Sequence, residues 1–170
     1  MTAPAWSLTT MTATDLQAVH EIDCQSPAPW SFRQLEEEMA APGGQQLLCR
    51  SLESGRPAGF LLARIVLDEA EILKLATTRE FHRRGVASLL LDAFIKTARD
   101  RLLRRIHLEL RAANSPALAL YEKFAFEMTG RRPNYYTAPI DDALCLTRFL
   151  EQAVYPQNTV RRFKLGPMRP

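Results

Sequence analysis

"EFHRRGVASLLLDAF", residues 80–94, decides how the rest of the chain is read. Two arginines run into one glycine, then into small residues, then into an apolar pattern at helical spacing. A helix N-terminus carries unpaired N–H groups and roughly half a positive charge, which together attract phosphate. Gly85 permits a tight turn and a close backbone approach, because no Cβ stands in the way. Val86, Ala87 and Ser88 open the helix with small side chains, and Arg83 and Arg84 add charge beside it. The stretch reads as a cradle for a pyrophosphate lying across several amides. By pattern alone it also fits an ordinary loop with solvated arginines. It is not a P-loop, since no Lys closely follows Gly85, nor a dinucleotide fingerprint, which needs three glycines.

Working outward, the segment before the cradle supplies three strands: "QQLLCRS" (45–51), "AGFLLARIVL" (58–67) and "EAEILKLATT" (69–78). Their links are too short for crossovers, so they form an antiparallel meander. The helix over about 85–100, with Leu89, Leu90, Leu91, Phe94 and Ile95 as its apolar stripe, leads to "RRIHLELR" (104–111). In that strand Ile106, Leu108 and Leu110 share one face, and His107, Glu109 and Arg111 the other. A helix between two such strands makes a right-handed crossover and a parallel pair. "NSPALALYEKFAF" follows as a helix with Ser115 as its cap and Pro116 at its first position. "FEMTGR" and "DALCLTRFL" close the order as strands.

Upstream lie a strand, "SLTTM" (7–11), and two helices announced by capping boxes, Thr12 with Asp15 and Ser31 with Gln34. The fold class is therefore α/β (α+β): a mixed, mostly antiparallel sheet with one parallel pair. Residues 1–150 are expected to form one domain, and 151–170 an irregular tail.

At 170 residues, 46% apolar and 24% charged, the chain has the composition of an ordinary globular domain. Residues 1–150 hold 18 basic and 18 acidic side chains, so the excess of +3 lies in the tail. A body of zero net charge excludes nucleic-acid binding on electrostatic grounds. No window is apolar enough to span a membrane, and "MTAPAWSLTT" carries no export signal. Cys24, Cys49 and Cys145 are scattered, without metal-ligand spacing; they are expected to be small buried hydrophobes in a cytoplasmic protein.

Joined together, "ILKLATTREFHRRGVASLLLDAF", "LELRAANSPALALYEKFAF", "GRRPNYY" and "DALCLTRFL" resemble the GNAT superfamily of acetyl-coenzyme A dependent N-acetyltransferases. Within it they resemble the RimI-type ribosomal protein alanine N-acetyltransferases. "APWSF" (28–32) is similar to the Pro-Trp-Ser segment that opens the second helix there. The likeness covers about residues 7–150.

The resemblance implies a GNAT fold with a central splayed parallel pair and helices on both faces. It implies acetyl-coenzyme A as co-substrate, with no metal. "HRRGVA" matches the pyrophosphate loop, with His82 in place of the usual Gln or Arg. Arg83, Arg84, Gly85, Val86, Ala87 and Ser88 would hold the phosphates, the backbone of Leu75, Ala76 and Thr77 the pantetheine arm, and Asn114 the thiol end. Glu109 would be the general base and Tyr121 the general acid. Arg132, Asn134, Tyr135 and Tyr136 would border a peptide groove, with Pro133 inserted into the family's segment.

The expected acceptor is the N-terminal alanine of a small-subunit ribosomal protein, reached by direct transfer in a ternary complex. Other protein N-termini, lysine side chains or small amines form the alternative, and a non-catalytic acetyl-coenzyme A binding module a third reading. Neither membrane nor nucleic acid is an expected partner of the domain. The chemistry suits the residues. An α-ammonium of pKa near ~8 needs one carboxylate to deprotonate it, and a phenol of pKa ~10 can return a proton to a thiolate.

Overall fold

The computed structural model describes residues 6–151. Seven strands form one sheet: β1 (Trp6–Thr10), β2 (Gly44–Ser51), β3 (Pro57–Val66), β4 (Glu69–Thr77), β5 (Arg105–Arg111), β6 (Glu127–Thr137) and β7 (Ile140–Phe149). Their spatial order is β1-β2-β3-β4-β5-β7-β6, and β4 with β5 is the parallel pair in an otherwise antiparallel sheet. The helices are α1 (Leu16–Asp23), α2 (Phe32–Ala40), α3 (Val86–Asp100) and α4 (Ser115–Lys123). Apart from Glu151, the expected basic tail lies outside the described residues.

Strand alternation sorts the core onto two faces. Leu61 and Ala63 of β3 join Leu90, Leu91, Phe94 and Ile95 of α3 and Tyr121 of α4 in one cluster. Phe60 and Leu62 point the other way, to Leu16, Val19 and Ile22 of α1 and Leu35 of α2. Helices thus cover both faces. Both capping boxes form, around Thr12 ahead of a short 3₁₀ turn and around Ser31 at α2.

Three local expectations are corrected. The cap of α4 is Asn114, whose Oδ1 accepts the Ala117 N–H at 3.2 Å; Ser115 is already helical. Either side chain is a good cap, and the one that reaches the third helical amide takes the position. The strand expected to end with "FEMTGR" runs on through "RRPNYY" as the second half of β6, because β6 is the sheet edge, where a proline removes no ladder bond. The cysteines also divide: Cys49 is buried, Cys24 exposed and Cys145 half-buried. Burial pushes the Cys49 thiol up to about 11, as an inert core thiol requires.

Candidate active site

The parallel pairing of β4 and β5 runs only from Glu69↔Arg105 to Ile72↔Leu108. Beyond it the strands part. Leu75, Ala76 and Thr77 keep their partners Leu61, Phe60 and Gly59 on β3, while Glu109, Leu110 and Arg111 keep theirs on β7. The edges that face each other across the opening are therefore free for another extended chain, as a splayed pair requires.

A bulge marks where the parting begins. The β3–β4 register passes from Leu62↔Lys74 to Ala63↔Ile72 and leaves Leu73 unmatched. A bulge reverses the alternation of side chains beyond it. Ala70, Ile72 and Leu75 accordingly pack on the α3 side, whereas Leu73 and Ala76 pack on the α1 and α2 side.

Just past β4 comes the turn that leads into α3. Arg83 and Gly85 are both left-handed, at φ 61° and 84°, and Gly85 is the N-cap of α3. A Cβ on Gly85 would meet nothing within 4 Å, so the space above it is open. None of the backbone N–H groups of Arg83, Arg84, Gly85, Val86, Ala87 or Ser88 is taken by an acceptor among the described residues. The carbonyls are tied back instead: Trp6 Nε1 donates to Arg84 O at 3.3 Å, and the Leu89 N–H to Gly85 O at 2.9 Å. Trp6 packs edge-on against buried Phe81 at 5.1 Å, which anchors the loop from beneath. His82, the departure from the family pattern, sets its Nε2 3.2 Å from Thr77 O and pins the end of β4. Open amides, an unobstructed glycine and flanking arginines fit a diphosphate.

Gly59 was not singled out in the sequence, although a glycine inside a strand pattern is the usual sign of close backbone approach. A Cβ there would lie 2.8 Å from both Ala76 O and Val86 Cγ1. The glycine lets the first turn of α3 sit directly on β3 and β4. Gly59→Ala is expected to weaken acetyl-coenzyme A binding severalfold and to cost about 1–3 kcal/mol of stability through overcrowding. Calorimetry and thermal melting check both.

On the opposite face an open cleft of about 570 Å³ is lined by Glu109, His107, Glu69, Glu71, Arg132 and Cys145, among others. Glu109 is the first β5 residue beyond the parallel pairing, and its carboxylate meets Arg132 Nη2 at 3.1 Å. Cys145, its register partner on β7, shares this face, with its Sγ 3.9 Å from Glu109 Oε1; the expected core position is corrected accordingly. Below Glu109, His107 is held by Thr147 Oγ1 at 3.0 Å and by Glu69 Oε2 at 3.1 Å.

Tyr121 comes from α4 in the core cluster on the other side, its ring edge-on to Phe126 at 5.4 Å. Burial pushes its phenol well above the ordinary tyrosine range, so it keeps its proton at any working pH. Asn114 is less free than expected: capping commits its Oδ1 and leaves only the amide nitrogen.

The Pro133 insertion is absorbed as a bulge. Arg132 pairs with Ala143 and Tyr136 with Asp141, so three β6 residues face Asp142 alone. Asn134 turns left-handed at φ 52° and donates its N–H to Asp142 Oδ1 at 2.8 Å; Arg131 donates to Asp142 Oδ2 at 2.6 Å. Tyr135 and Tyr136 stand at right angles, 5.1 Å apart, with Arg132 over the first ring and Arg111 over the second. Through the Arg132–Glu109 contact, this edge and the β5 carboxylate form one wall of the cleft.

The loop between α1 and α2 is fastened to the sheet by a group that the sequence did not single out. Asp23 is fully buried; its Oδ2 accepts from Lys74 Nζ at 2.6 Å and from the Trp30 N–H at 2.6 Å. Lys74 also donates to Ala28 O at 2.8 Å and lies 5.0 Å from the Trp30 ring centre. Lys74 faces this loop because the bulge at Leu73 turns it there.

Among the described residues no three His, Cys, Asp or Glu side chains converge on a metal site, and no helix is long and apolar enough to cross a membrane.

Residues 15–126 match the acetyltransferase (GNAT) family. Over 132 residues the chain is 33% identical to the [ribosomal protein bS18]-alanine N-acetyltransferase of Escherichia coli K12, covering 76% of this chain and 86% of that one. The enzyme of the same name from Haemophilus influenzae is 33% identical over 128 residues, covering 75% of this chain and 85% of its own length. The crystal structure of the Escherichia coli ribosomal-protein-S18-alanine N-acetyltransferase superposes with a TM-score of 0.81 at 28% identity, covering 87% of this chain and 96% of that chain. The splayed pair, the open amide cradle and these likenesses agree, and the chain belongs to the GNAT acetyltransferase family.

Proposed function

We propose that this acetyltransferase modifies the N-terminal alanine of a small-subunit ribosomal protein, the bS18 type named for its relatives. The observation that carries the reading is the division of the site between two faces. The amide cradle lies at the end of β4, and an open cleft lies on the side of Glu109. Bound acetyl-coenzyme A supplies an activated thioester. The amides of residues 83–88 would hold its diphosphate, and the backbone of Leu75, Ala76 and Thr77 would hold its arm. Asn114 offers its remaining amide nitrogen at the thiol end.

Glu109 takes the proton from the incoming α-ammonium, directly or through a water. Tyr121, which burial keeps protonated, returns one to the departing sulfur. Backbone N–H groups of the splayed strand β4 are suited to steady the negative charge that develops on the acyl oxygen. Arg132, Asn134, Tyr135 and Tyr136 border the acceptor's path. The cleft suits a peptide better than a small amine, since it is open and Tyr135 is half exposed beside it.

The test is transfer of label from acetyl-coenzyme A to matched acceptors. These are a peptide with N-terminal alanine, the same peptide already N-acetylated, a peptide whose only amine is a lysine, and spermidine. Label on the free N-terminal peptide alone is the expected result. Label on the lysine peptide or spermidine alone would replace this acceptor with another of the family's classes.

A further inference from the structure

We propose that Glu71 selects acceptors carrying a basic side chain at their second or third residue. The inference rests on the peptide reading of the cleft. Nearly every charge lining that cleft is already matched. Arg64 is paired with buried Glu38, Asp68 with Arg104, Glu69 with Arg105 and His107, and Glu109 with Arg132. Glu71 is exposed, and among the described residues it has neither an ion pair nor a hydrogen-bond partner. Its cross-strand neighbour Arg64 turns its guanidinium to Glu38 instead.

The position of Glu71 relative to the reacting amine follows from register. Glu71 stands opposite His107, two residues before Glu109 on β5, and therefore about 7 Å along the strand from the base. An extended acceptor with its amine at Glu109 advances about 3.5 Å per residue. Its second or third side chain then comes level with Glu71. Both ring nitrogens of His107 are already engaged, by Thr147 and Glu69. The subsite is a floor of fixed polar groups with one unmatched carboxylate, which favours lysine or arginine.

The experiment measures kcat/KM of the full chain with acetyl-coenzyme A and hexapeptides beginning with alanine. These carry Arg, Ala or Glu at position two or three and are otherwise alike. An exposed ion pair predicts a preference of about fivefold for the Arg peptide over the Ala peptide at one of the two positions, expressed mainly in KM. Glu71→Gln should bring that ratio close to one, and Glu71→Lys should favour the Glu peptide. The ratio cancels any general loss of activity in the variants. If Glu71→Gln turns over the peptides with the Arg preference intact, this proposal falls and the peptide reading stands. If the unaltered chain acetylates none of them, the peptide reading falls and takes this one with it.

Discussion

Glu109→Gln is expected to lower kcat by about 10²- to 10⁴-fold, the usual worth of a positioned general base. Acetyl-coenzyme A affinity should stay within about twofold, because Glu109 lies on the cleft face and the open amides of residues 83–88 lie beyond the end of β4. Glutamine keeps the size of the side chain and an oxygen for Arg132, so the edge formed by β6 stays in place. The loss then reports on proton transfer rather than on a displaced loop. A second signature separates the two. An unperturbed α-amine titrates near ~8, so raising the pH deprotonates the acceptor without help and should shrink the defect of the Gln variant. Arg132→Ala serves as the contrast: it breaks the same contact from the other side and should act mainly on acceptor KM. A Gln variant with near-normal turnover at neutral pH would remove Glu109 as base, and equal defects in both variants would reduce it to a partner of Arg132.

Glu109 could be placed on the polar face from its sequence because β5 alternates without interruption, and Ile106, Leu108 and Leu110 are buried as that pattern demands. The cradle was legible for a similar reason. Arginine, glycine and small residues at a helix start act locally, and the left-handed Gly85 is a property of one residue. What stayed hidden depends on register between distant segments. Cys145 reads as core on its own strand, yet pairing with Glu109 turns it into the cleft. The Leu73 bulge has no signature in "EILKLAT", since it exists only as a mismatch between β3 and β4. Lys74 would otherwise alternate to the α3 side, and no periodicity rule pairs it with Asp23, 51 positions away. The helix cap at Asn114 rather than Ser115 was a choice between two good caps, settled by which oxygen reaches Ala117. Sequence therefore disclosed the local form of each element, and pairing decided which elements share a face.

Lys74→Met should destabilise the fold more than Gly59→Ala does. Asp23 is fully buried and the Lys74 side chain is 12% exposed, so the carboxylate has little water to replace a lost cation. Desolvation holds the Lys74 ammonium below the ordinary lysine range, and Asp23 pulls the other way. Removing one member of a buried pair typically costs about 3–5 kcal/mol, because the remaining charge is left uncompensated. For a domain of this size that corresponds to a fall in Tm on the order of 10 °C. Asp23→Asn in the Lys74→Met background should recover part of the loss, since a neutral amide can still accept the Trp30 N–H. The double variant melting above the single one is the sign of coupling, and additive losses would deny it. The functional consequence is directional as well. The pair joins Ala28 and Trp30 of the α1–α2 loop, expected to border the acceptor, to β4 immediately after the bulge at Leu73. Loosening it at a temperature where the variant remains folded should raise acceptor KM while leaving the amides of residues 83–88 able to bind acetyl-coenzyme A. Equal losses of affinity for both substrates would mean that the pair supports the fold alone and does not hold that loop in place for the acceptor.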